Sequence, residues 1–340
     1  MTYEAKDLTN DASSLDRRSF LGSAAAATLG LTGLGALGGS SVARAAASKG
    51  MIGFNQPDSA NPVVFVLYRG AQAEAKRLGY TLLQSSAGLD PTKQIAEIQT
   101  WIAEGVKGLT VLPLNAGAMT PLLKKAQQAG IPFVGYAAKI PGENGFCGWN
   151  NVEGANEVGT FAGKWVNSTL AGKAEVALLT ADALGAIGLR VHNAASDLQK
   201  VAPKAKIVAH QDAITAPQAL TVAQSMLSAN PNINVFICMS DDGCIGAQQA
   251  FMQTKPSKAR QAQMCIVGFD GGQRALAAIL KGGVIKATAA LDLLEVGAAA
   301  VSIPVDLITK KGPTSSTPAP LLVTHATQAL GKKLLARYAS

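Results

Sequence analysis

Six side chains of this sequence combine polar and aromatic groups in a way that suits a small neutral ligand. They are Asn61, Tyr136, Trp149, Arg190, Ser240 and Asp270. A carboxylate accepts hydrogen bonds from two adjacent hydroxyl groups, whereas Arg and Asn donate hydrogen bonds in fixed planes. Aromatic rings cover the apolar C–H face of a sugar-like ring. The set therefore favours reversible binding of a neutral polyhydroxy molecule.

Catalytic chemistry has weaker support. The sequence holds no G-x-S-x-G elbow, and of its histidines (His192, His210 and His325) only His210 follows a predicted strand. Asp241-Asp242 is a possible carboxylate pair, but "SDDG" more simply begins a helix whose amide groups and dipole the Asp side chains complement. The glycine-rich "GFDGGQ" lacks the glycine order of a phosphate-binding loop. We expect no enzyme.

The cysteines do not suggest a metal or a cofactor. Cys147, Cys238, Cys244 and Cys265 show neither C-x-x-C nor Cys/His metal spacing. Cys238 and Cys265 lie in apolar runs typical of buried strands, where cysteine behaves as a small hydrophobic residue. Whether any thiols pair stays open, because an oxidising compartment would permit disulfides.

Short apolar strands alternate with amphipathic helices and must position the six side chains. "MIGF", "YTLLQ", "VKGLTVLPL" and "IPFVGY" are predicted strands of a first half, and "AEVALLT", "AKIVAH", "NVFICMS" and "MCIVGFD" those of a second. This predicts an α/β fold of two doubly wound, Rossmann-like lobes with parallel sheets. Ligands bind beyond the carboxyl ends of such strands, where the six side chains lie.

The first 47 residues are typical of an export signal. Arg17-Arg18 precedes a run without charge from Phe20 to Val42, and Ala-x-Ala cleavage patterns end at Ala45 and Ala47. The run is rich in Gly and Ser, which argues against a membrane span. The paired arginines resemble the twin-arginine motif. We expect a signal peptide over residues 1–47, cleavage near Ala45 or Ala47, and a periplasmic protein.

The net charge of +8 is mild and comes without a dense Lys/Arg run interleaved with aromatic residues. Proteins that bind nucleic acid concentrate positive charge on one face. We therefore expect no nucleic-acid partner.

The chain resembles the periplasmic sugar-binding proteins of the ribose-binding type, which are type I periplasmic binding proteins of ABC importers. The resemblance is carried by segments such as "NPVVFVLYRGAQAEAKRLGY", "DPTKQIAEIQTWIAEGVKGLTVLP" and "IVGFDGGQRALAAILKGGVIKAT". It implies a three-segment hinge with crossings near Asn150, Leu291 and Pro318. The implied boundaries are 48–150 plus 292–317 for one lobe, 151–291 plus 318–325 for the other, and 326–340 for a C-terminal helical extension.

The family's ligand positions are only partly retained. Asn61, Arg190 and Asp270 match them. The departures are Val63 and Val64 for an aromatic pair, Ala137 and Ala138 for an Asp-Arg pair, Ser240 for Asn, Leu291 for Gln, and Ile214 for an aromatic residue. These changes remove hydrogen bonds to ribose, so we expect a different sugar, a polyol or a less hydroxylated molecule. Tyr136 and Trp149 either supply stacking surface or pack near the hinge.

The resemblance implies a monomeric substrate-binding protein that delivers its ligand to a membrane permease. A periplasmic sensor that hands its ligand-bound form to a chemoreceptor or receptor kinase is the open alternative. The effector domain of a transcriptional repressor is disfavoured, because the first 50 residues show an export signal and not a helix-turn-helix.

Overall fold

The computed structural model of the protein describes residues 48–339 except 57, 59, 60, 86, 185 and 186. The predicted signal peptide therefore lies outside the described residues. Two six-stranded sheets, each covered by helices, organise the described chain. Among the described helices, none combines the length and the apolar character that a membrane crossing requires.

The first sheet, which with its helices forms lobe 1, is entirely parallel and has the order β11-β5-β4-β3-β1-β2. Its strands are β1 (Met51–Asn55), β2 (Thr81–Gln84), β3 (Gly108–Val111), β4 (Phe133–Tyr136), β5 (Gly145–Cys147) and β11 (Ser315–Ser316). The helices packed on it are α1 (Pro62–Leu78), α2 (Pro91–Ala103), α3 (Ala116–Gln128) and α10 (Leu293–Thr309). Every residue of β3 and β4 is buried, as expected for parallel strands covered on both faces.

The second sheet, which with its helices forms lobe 2, has the order β12-β10-β9-β8-β6-β7 and is parallel except for β12, which runs antiparallel to β10. Its strands are β6 (Glu175–Thr180), β7 (Lys206–Asp212), β8 (Ile233–Cys238), β9 (Cys265–Asp270), β10 (Ile285–Ala290) and β12 (Leu321–Thr324). Its helices are α4 (Asn151–Leu170), α5 (Leu189–Val201), α6 (Ala216–Ala229), α7 (Asp241–Gln253), α8 (Lys258–Ala262), α9 (Gln273–Leu280) and α11 (Gln328–Ala339). A 3-10 turn lies at Asp182–Leu184.

The chain passes between the sheets three times: after β5, between β10 and α10, and between β11 and β12. The predicted fold class, two doubly wound lobes joined by a three-segment hinge, is therefore confirmed. Helix starts follow local sequence chemistry, as at α2, where the Asp90 side chain accepts hydrogen bonds from the Thr92 and Lys93 amides and Pro91 takes the first helical position.

The C-terminal helix stabilises the second crossing through hydrogen bonds. Helix α11 packs on α9 and β12 of lobe 2, yet its Tyr338 side chain is 1% exposed and reaches the crossing itself. The Tyr338 hydroxyl donates to the Leu291 carbonyl at 2.8 Å and accepts from the Leu293 amide at 3.2 Å. Arg69 of α1 in lobe 1 donates to the Tyr338 carbonyl. One residue therefore contacts lobe 1, lobe 2 and the hinge.

Candidate ligand-binding site

A cavity of about 100 Å³ lies between the lobes at the carboxyl ends of their strands. All of the predicted site residues line it: Asn61, Tyr136, Trp149, Arg190, Ser240 and Asp270. Lobe 1 supplies β1, β4 and the start of α1, and lobe 2 supplies β8, β9 and the start of α5. A larger open groove of about 800 Å³ lies elsewhere, against α1 and α10 and away from the strand ends.

A buried ion pair forms the polar centre of the cavity. Arg190 Nη1 lies 3.1 Å from Asp270 Oδ1, and the Arg190 guanidinium carbon lies 4.8 Å from the centre of the Phe269 ring. Arg190 is 3% exposed, and its Nε atom has no hydrogen-bond partner among the described residues. Burial raises the pKa of Asp270, and the Arg190 charge opposes that rise. The pair gives the cavity one acceptor and one donor group with no large net charge.

The backbone that carries Asp270 is unusual. Asp270 has φ of +104° and Gly271 has φ of +79°, and such a conformation costs a non-glycine residue about 1–3 kcal/mol. The Asp241 side chain supports this turn, because its Oδ2 atom accepts a hydrogen bond from the Gly272 amide at 2.6 Å. Gly272 in turn faces Val63 of lobe 1, since a Cβ atom added there would lie 3.3 Å from Val63 Cγ2.

The expectation that the Asp side chains of "SDDG" cap helix α7 is wrong for Asp241. Ser240 is the N-cap residue, and its hydroxyl accepts from the Gly243 amide at 3.2 Å and lies 3.4 Å from the Ile214 carbonyl. Asp241 is 1% exposed and is directed towards the Gly272 turn. Burial first, and the neighbouring Asp270 second, raise the pKa of Asp241 well above its ordinary value. The first residues of α7 therefore help to form the wall of the cavity.

Asn61 also combines two roles, as a helix cap and as a residue of the cavity lining. It is the N-cap of α1, and its Oδ1 atom accepts from the Val63 amide at 2.8 Å while the residue lines the cavity. Because Oδ1 is used in the cap, the side-chain amide nitrogen is the part of Asn61 that suits a ligand.

Tyr136 and Trp149 form an edge-to-face aromatic stack with Phe54. The ring centroids of Phe54 and Tyr136 are 5.2 Å apart, and those of Tyr136 and Trp149 are 5.9 Å apart. Trp149 Nε1 donates to Asn151 Oδ1 at 2.9 Å, which ties the ring to the start of α4. Tyr136 is 2% exposed, and burial raises its pKa well above the ordinary value. Both rings line the cavity and also pack beside the first crossing.

Gln56 is a site residue that the sequence interpretation did not select. It follows β1, is 1% exposed and lines the cavity. Its Nε2 atom has no hydrogen-bond partner among the described residues. Its backbone is fixed by Ser85, whose hydroxyl accepts from the Gln56 amide at 2.7 Å. The available signal was its position directly after a predicted strand, where a buried amide points to a ligand.

The remaining wall of the cavity is aliphatic. It is formed by Val63, Val64, Leu67, Leu89, Leu112, Leu114, Ala137, Leu184, Ile187, Ile214 and Met239. Four of the sequence departures from the ribose-binding pattern, Val63, Val64, Ala137 and Ile214, lie in this wall. The lining of the cavity is therefore mostly hydrocarbon.

Carboxylates from both lobes lie at the cavity. Asp58 of lobe 1 and Asp270 of lobe 2 line the cavity, and both lie close enough to Asp242 to raise its pKa, although burial is the larger cause. No cluster of side chains suited to a metal ion occurs in the part of the chain that the structure describes. All four cysteines lie in that part and are buried free thiols. The arrangement can hold a neutral molecule by hydrogen bonds and contact.

Two of the histidines, which the sequence interpretation treated as scattered, lie together. His192 Nε2 is 2.8 Å from Asp182 Oδ1, and His210 Nε2 is 3.5 Å from Asp182 Oδ2. The pairs are partly exposed, and the histidines lower the pKa of Asp182. This cluster holds the 3-10 turn that brings Leu184 to the cavity wall.

Comparison with known proteins places these observations in a family. The model of the periplasmic binding protein domain family matches residues 52–312. The D-apiose import binding protein of Actinobacillus succinogenes is 30% identical over 251 residues, which cover 72% of this chain and 77% of that protein. The ribose import binding protein of Salmonella typhimurium is 29% identical over 249 residues, which cover 72% and 79%.

Solved structures agree with the fold. An ABC transporter solute binding protein from Mycobacterium smegmatis with bound glycerol superposes with a TM-score of 0.72 at 26% identity, covering 83% of this chain and 96% of that one. The Caulobacter myo-inositol binding protein superposes with a TM-score of 0.74 at 24% identity, covering 84% and 96%. With its two lobes, three crossings and interlobe cavity, the chain belongs to the periplasmic binding protein family.

Proposed function

We propose that the protein is the substrate-binding component of an ABC importer and reversibly binds a neutral sugar or sugar-like molecule in the interlobe cavity. The observation that carries this proposal is the buried Arg190–Asp270 pair of lobe 2, which lines the cavity between the lobes. Relatives named for import of apiose and ribose support the ligand class. The ligand-binding residues that we propose are Asn61, Tyr136, Trp149, Arg190, Ser240 and Asp270, with Gln56 added.

The mechanism is a shift in population towards the closed state. Because the cavity takes side chains from both lobes, a ligand that contacts both stabilises closure, and the closed form is what a membrane permease recognises. Nothing among the relatives supports the sensor alternative, since those reported above are named as import proteins. The absence of catalysis is part of the proposal, and recovery of unchanged ligand after incubation would test it.

The periplasm is the compartment of this family. We propose further that residues 1–47 are a twin-arginine signal peptide cleaved near Ala45 or Ala47, and that the protein is a monomer. The lobe boundaries we propose are 48–150 plus 292–317 and 151–291 plus 318–325, followed by the helical extension 326–340. N-terminal sequencing of the exported protein and its mass in solution would test the first two statements.

The binding site is tested by calorimetry after a thermal-shift screen of sugars and polyols has identified a ligand. A ligand at 100 times its dissociation constant adds about 2.7 kcal/mol to the free energy of unfolding, which such a screen detects. Asp270→Ala and Arg190→Ala are each expected to weaken binding at least about tenfold, because each leaves a charged partner unpaired. Asp197→Ala, at a carboxylate outside the cavity, is the control. Unchanged affinity in both site variants would refute this site.

A further inference from the structure

We propose that Gln94 of α2 is a positioning residue for ligand binding, because its side chain holds residues 112–114, and Leu112 and Leu114 line the cavity. This inference rests on the proposed function, since it concerns the ligand of the same cavity. Gln94 does not itself line the cavity. It therefore acts on a ligand through the residues that it holds.

The sheet alone does not fix residues 112–114. Strand β3 ends at Val111, and the Leu112 amide is the last to join the ladder, donating to the Asn55 carbonyl at 3.0 Å. Pro113 follows and has no amide hydrogen. The groups on either side of it, the Leu112 carbonyl and the Leu114 amide, are those that a neighbouring parallel strand would bind. These two groups need a partner from elsewhere in the fold.

The side-chain amide of Gln94 is that partner. Its Nε2 atom donates to the Leu112 carbonyl at 2.7 Å, and its Oε1 atom accepts from the Leu114 amide at 3.0 Å. The Nε2 atom also donates to Asn55 Oδ1 at 2.7 Å. Gln94 is fully buried, so water does not compete for these hydrogen bonds. The side chain thus takes the place of a strand beside Pro113.

The same hydrogen bonds connect two parts of the lobe 1 lining. Asn55 is fully buried and directly precedes Gln56, which lines the cavity. Asn55 Nδ2 donates to Glu97 Oε2 at 2.6 Å, so α2 holds both ends of the Asn55 amide through Gln94 and Glu97. Helix α2 therefore joins the carboxyl ends of β1 and β3, from which Gln56, Leu112 and Leu114 reach the cavity.

Loss of the Gln94 amide would leave three buried groups without this partner: the Leu112 carbonyl, the Leu114 amide and Asn55 Oδ1. Unpaired buried groups seek new partners, and the segment that carries them shifts or loosens. A binding site loses affinity when the residues that line it are displaced by about 1 Å. Ligand affinity should therefore depend on Gln94 beyond its effect on stability.

Gln94→Met tests the inference, because it keeps the length of the side chain and removes its donors and its acceptor. Calorimetry with D-ribose, D-apiose, glycerol and myo-inositol measures affinity, and we expect a loss of at least about tenfold for each compound that binds the wild type. Hydrogen exchange followed by mass spectrometry measures the amides of residues 112–115 without a ligand. We expect these amides to exchange at least about tenfold faster in the variant.

Thr110→Val is the matched control. Thr110 is a fully buried residue of β3, and its hydroxyl donates to the Ala300 carbonyl of α10 at 2.6 Å. The substitution removes a buried hydrogen bond from the same strand without removing a contact to residues 112–114. It should lower stability, keep the affinity within about threefold of the wild type and leave the exchange of residues 112–115 unchanged.

Gln94→Glu adds a pH profile that a residue needed only for folding would not produce. A neutral carboxyl group donates one hydrogen bond, to Leu112 or Asn55, whereas the ionised group donates none and repels both acceptors. The affinity of this variant, divided by that of the wild type at the same pH, should fall at least about tenfold as the carboxyl group ionises. The variant also replaces Gln94→Met if that protein does not fold.

The outcomes separate this inference from the proposed function. An affinity loss in Gln94→Met no larger than in Thr110→Val, or unchanged exchange of residues 112–115, overturns the inference and leaves the proposed function standing. If none of the four compounds binds the wild type, the result counts against the proposed ligand class. The exchange rates then still decide the inference, because faster exchange in Gln94→Met alone supports it and equal exchange in both variants overturns it.

Discussion

The buried Asp241 carboxyl group helps to position the carboxyl group of Asp270. Asp270 occupies a strained backbone position and faces Arg190, while Asp241 holds the following turn through the Gly272 amide. Two buried carboxylates this close disfavour each other's ionisation. The Arg190 charge stabilises the ionised form of Asp270, whereas Asp241 has no comparable partner. Asp241 thus supports the turn, and Asp270 presents its carboxylate to the cavity.

This division of roles predicts a pH dependence. Because the pKa of Asp241 is raised in the folded state, its contribution to stability is full below its unfolded pKa, about 3.9, and is lost as pH rises towards the folded value. Asp241→Asn cannot ionise, so its free energy of unfolding relative to the wild type should rise as the pH increases above about 4. Urea denaturation at several pH values measures the difference. Asp212→Asn, at an exposed carboxylate, is the control, and a constant difference for Asp241→Asn would contradict the assignment.

Ligand affinity distinguishes a role of Asp241 in positioning the Asp270 turn from a role in folding alone. Asp241→Asn keeps an oxygen that accepts from the Gly272 amide, so affinity should stay within about threefold of the wild type. Asp241→Ala removes that support from the Asp270 turn and should weaken binding about tenfold or more. Calorimetry on folded variants with the same ligand checks both. Equal losses in the two variants would mean that Asp241 does not position the turn through this hydrogen bond.

Helices α1 and α10 pack closely because the residues at their contact are glycines, which have no side chain. A Cβ atom at Gly70 would lie 2.2 Å from the Leu294 carbonyl oxygen, and one at Gly297 would lie 2.0 Å from the Leu67 carbonyl oxygen. Backbone meets backbone at both positions, so neither contact can be relieved by a side-chain rotation. This close approach holds the first helix of lobe 1 against the helix that follows the second crossing.

Gly70→Ala is therefore expected to destabilise the protein by about 1–3 kcal/mol, because the added methyl group forces the helices apart. Gly117→Ala in α3 meets only the Asn115 side chain at 3.3 Å and, as a control, should be neutral or slightly stabilising. Urea denaturation measures both free energies. Similar values for the two variants would show that α1 and α10 can separate without cost.

The C-terminal helix adds a structural tie to the hinge. Arg337 pairs with Asp292, the N-cap of α10, and Tyr338 bridges the Leu291 carbonyl and the Leu293 amide. Tyr338→Phe keeps the ring but leaves both backbone groups without this partner, which should cost about 1–3 kcal/mol. Tyr80→Phe, at a partly buried tyrosine outside the hinge, is the control. Chemical denaturation measures the free energy of unfolding of both variants. If Tyr338→Phe loses no more than Tyr80→Phe, the Tyr338 hydroxyl does not stabilise the second crossing.

At the scale of the whole molecule, the two lobes are in contact beside the cavity. Val63 of lobe 1 faces Gly272 of lobe 2, and the cavity between them measures about 100 Å³. The donors Arg190 Nε and Gln56 Nε2 are buried without a partner among the described residues, so without a ligand we expect the lobes to open and let water satisfy them.

Small-angle scattering should therefore give a larger radius of gyration without ligand than with it, because opening about the three crossings separates the lobes. The ligand-bound curve should match the structure described here. Arg190→Ala at the same ligand concentration should stay in the larger form. Identical curves for wild type with and without ligand would contradict closure as the response to binding.

Local sequence determined the elements. Alternating apolar strands and amphipathic helices predicted β1 to β4 of the first sheet and β6 to β9 of the second. The resemblance to the sugar-binding proteins implied a helical extension over 326–340, where the structure has α11 at Gln328–Ala339. Signals such as Asp90-Pro91 were sufficient because capping involves only neighbouring residues. The six predicted side chains did meet in one cavity, because strand order brings the carboxyl ends together.

Tertiary structure alone decided what each side chain does there. Residue type could not show that Ser240 caps α7 while Asp241 turns inward, that Gln56 carries an unsatisfied amide, or that Tyr338 reaches the hinge. Each of these roles depends on burial and on partners far away in the sequence. Burial and distant partners arise only when the strands and helices pack within each lobe and the lobes pack against each other, because no local pattern encodes those distances.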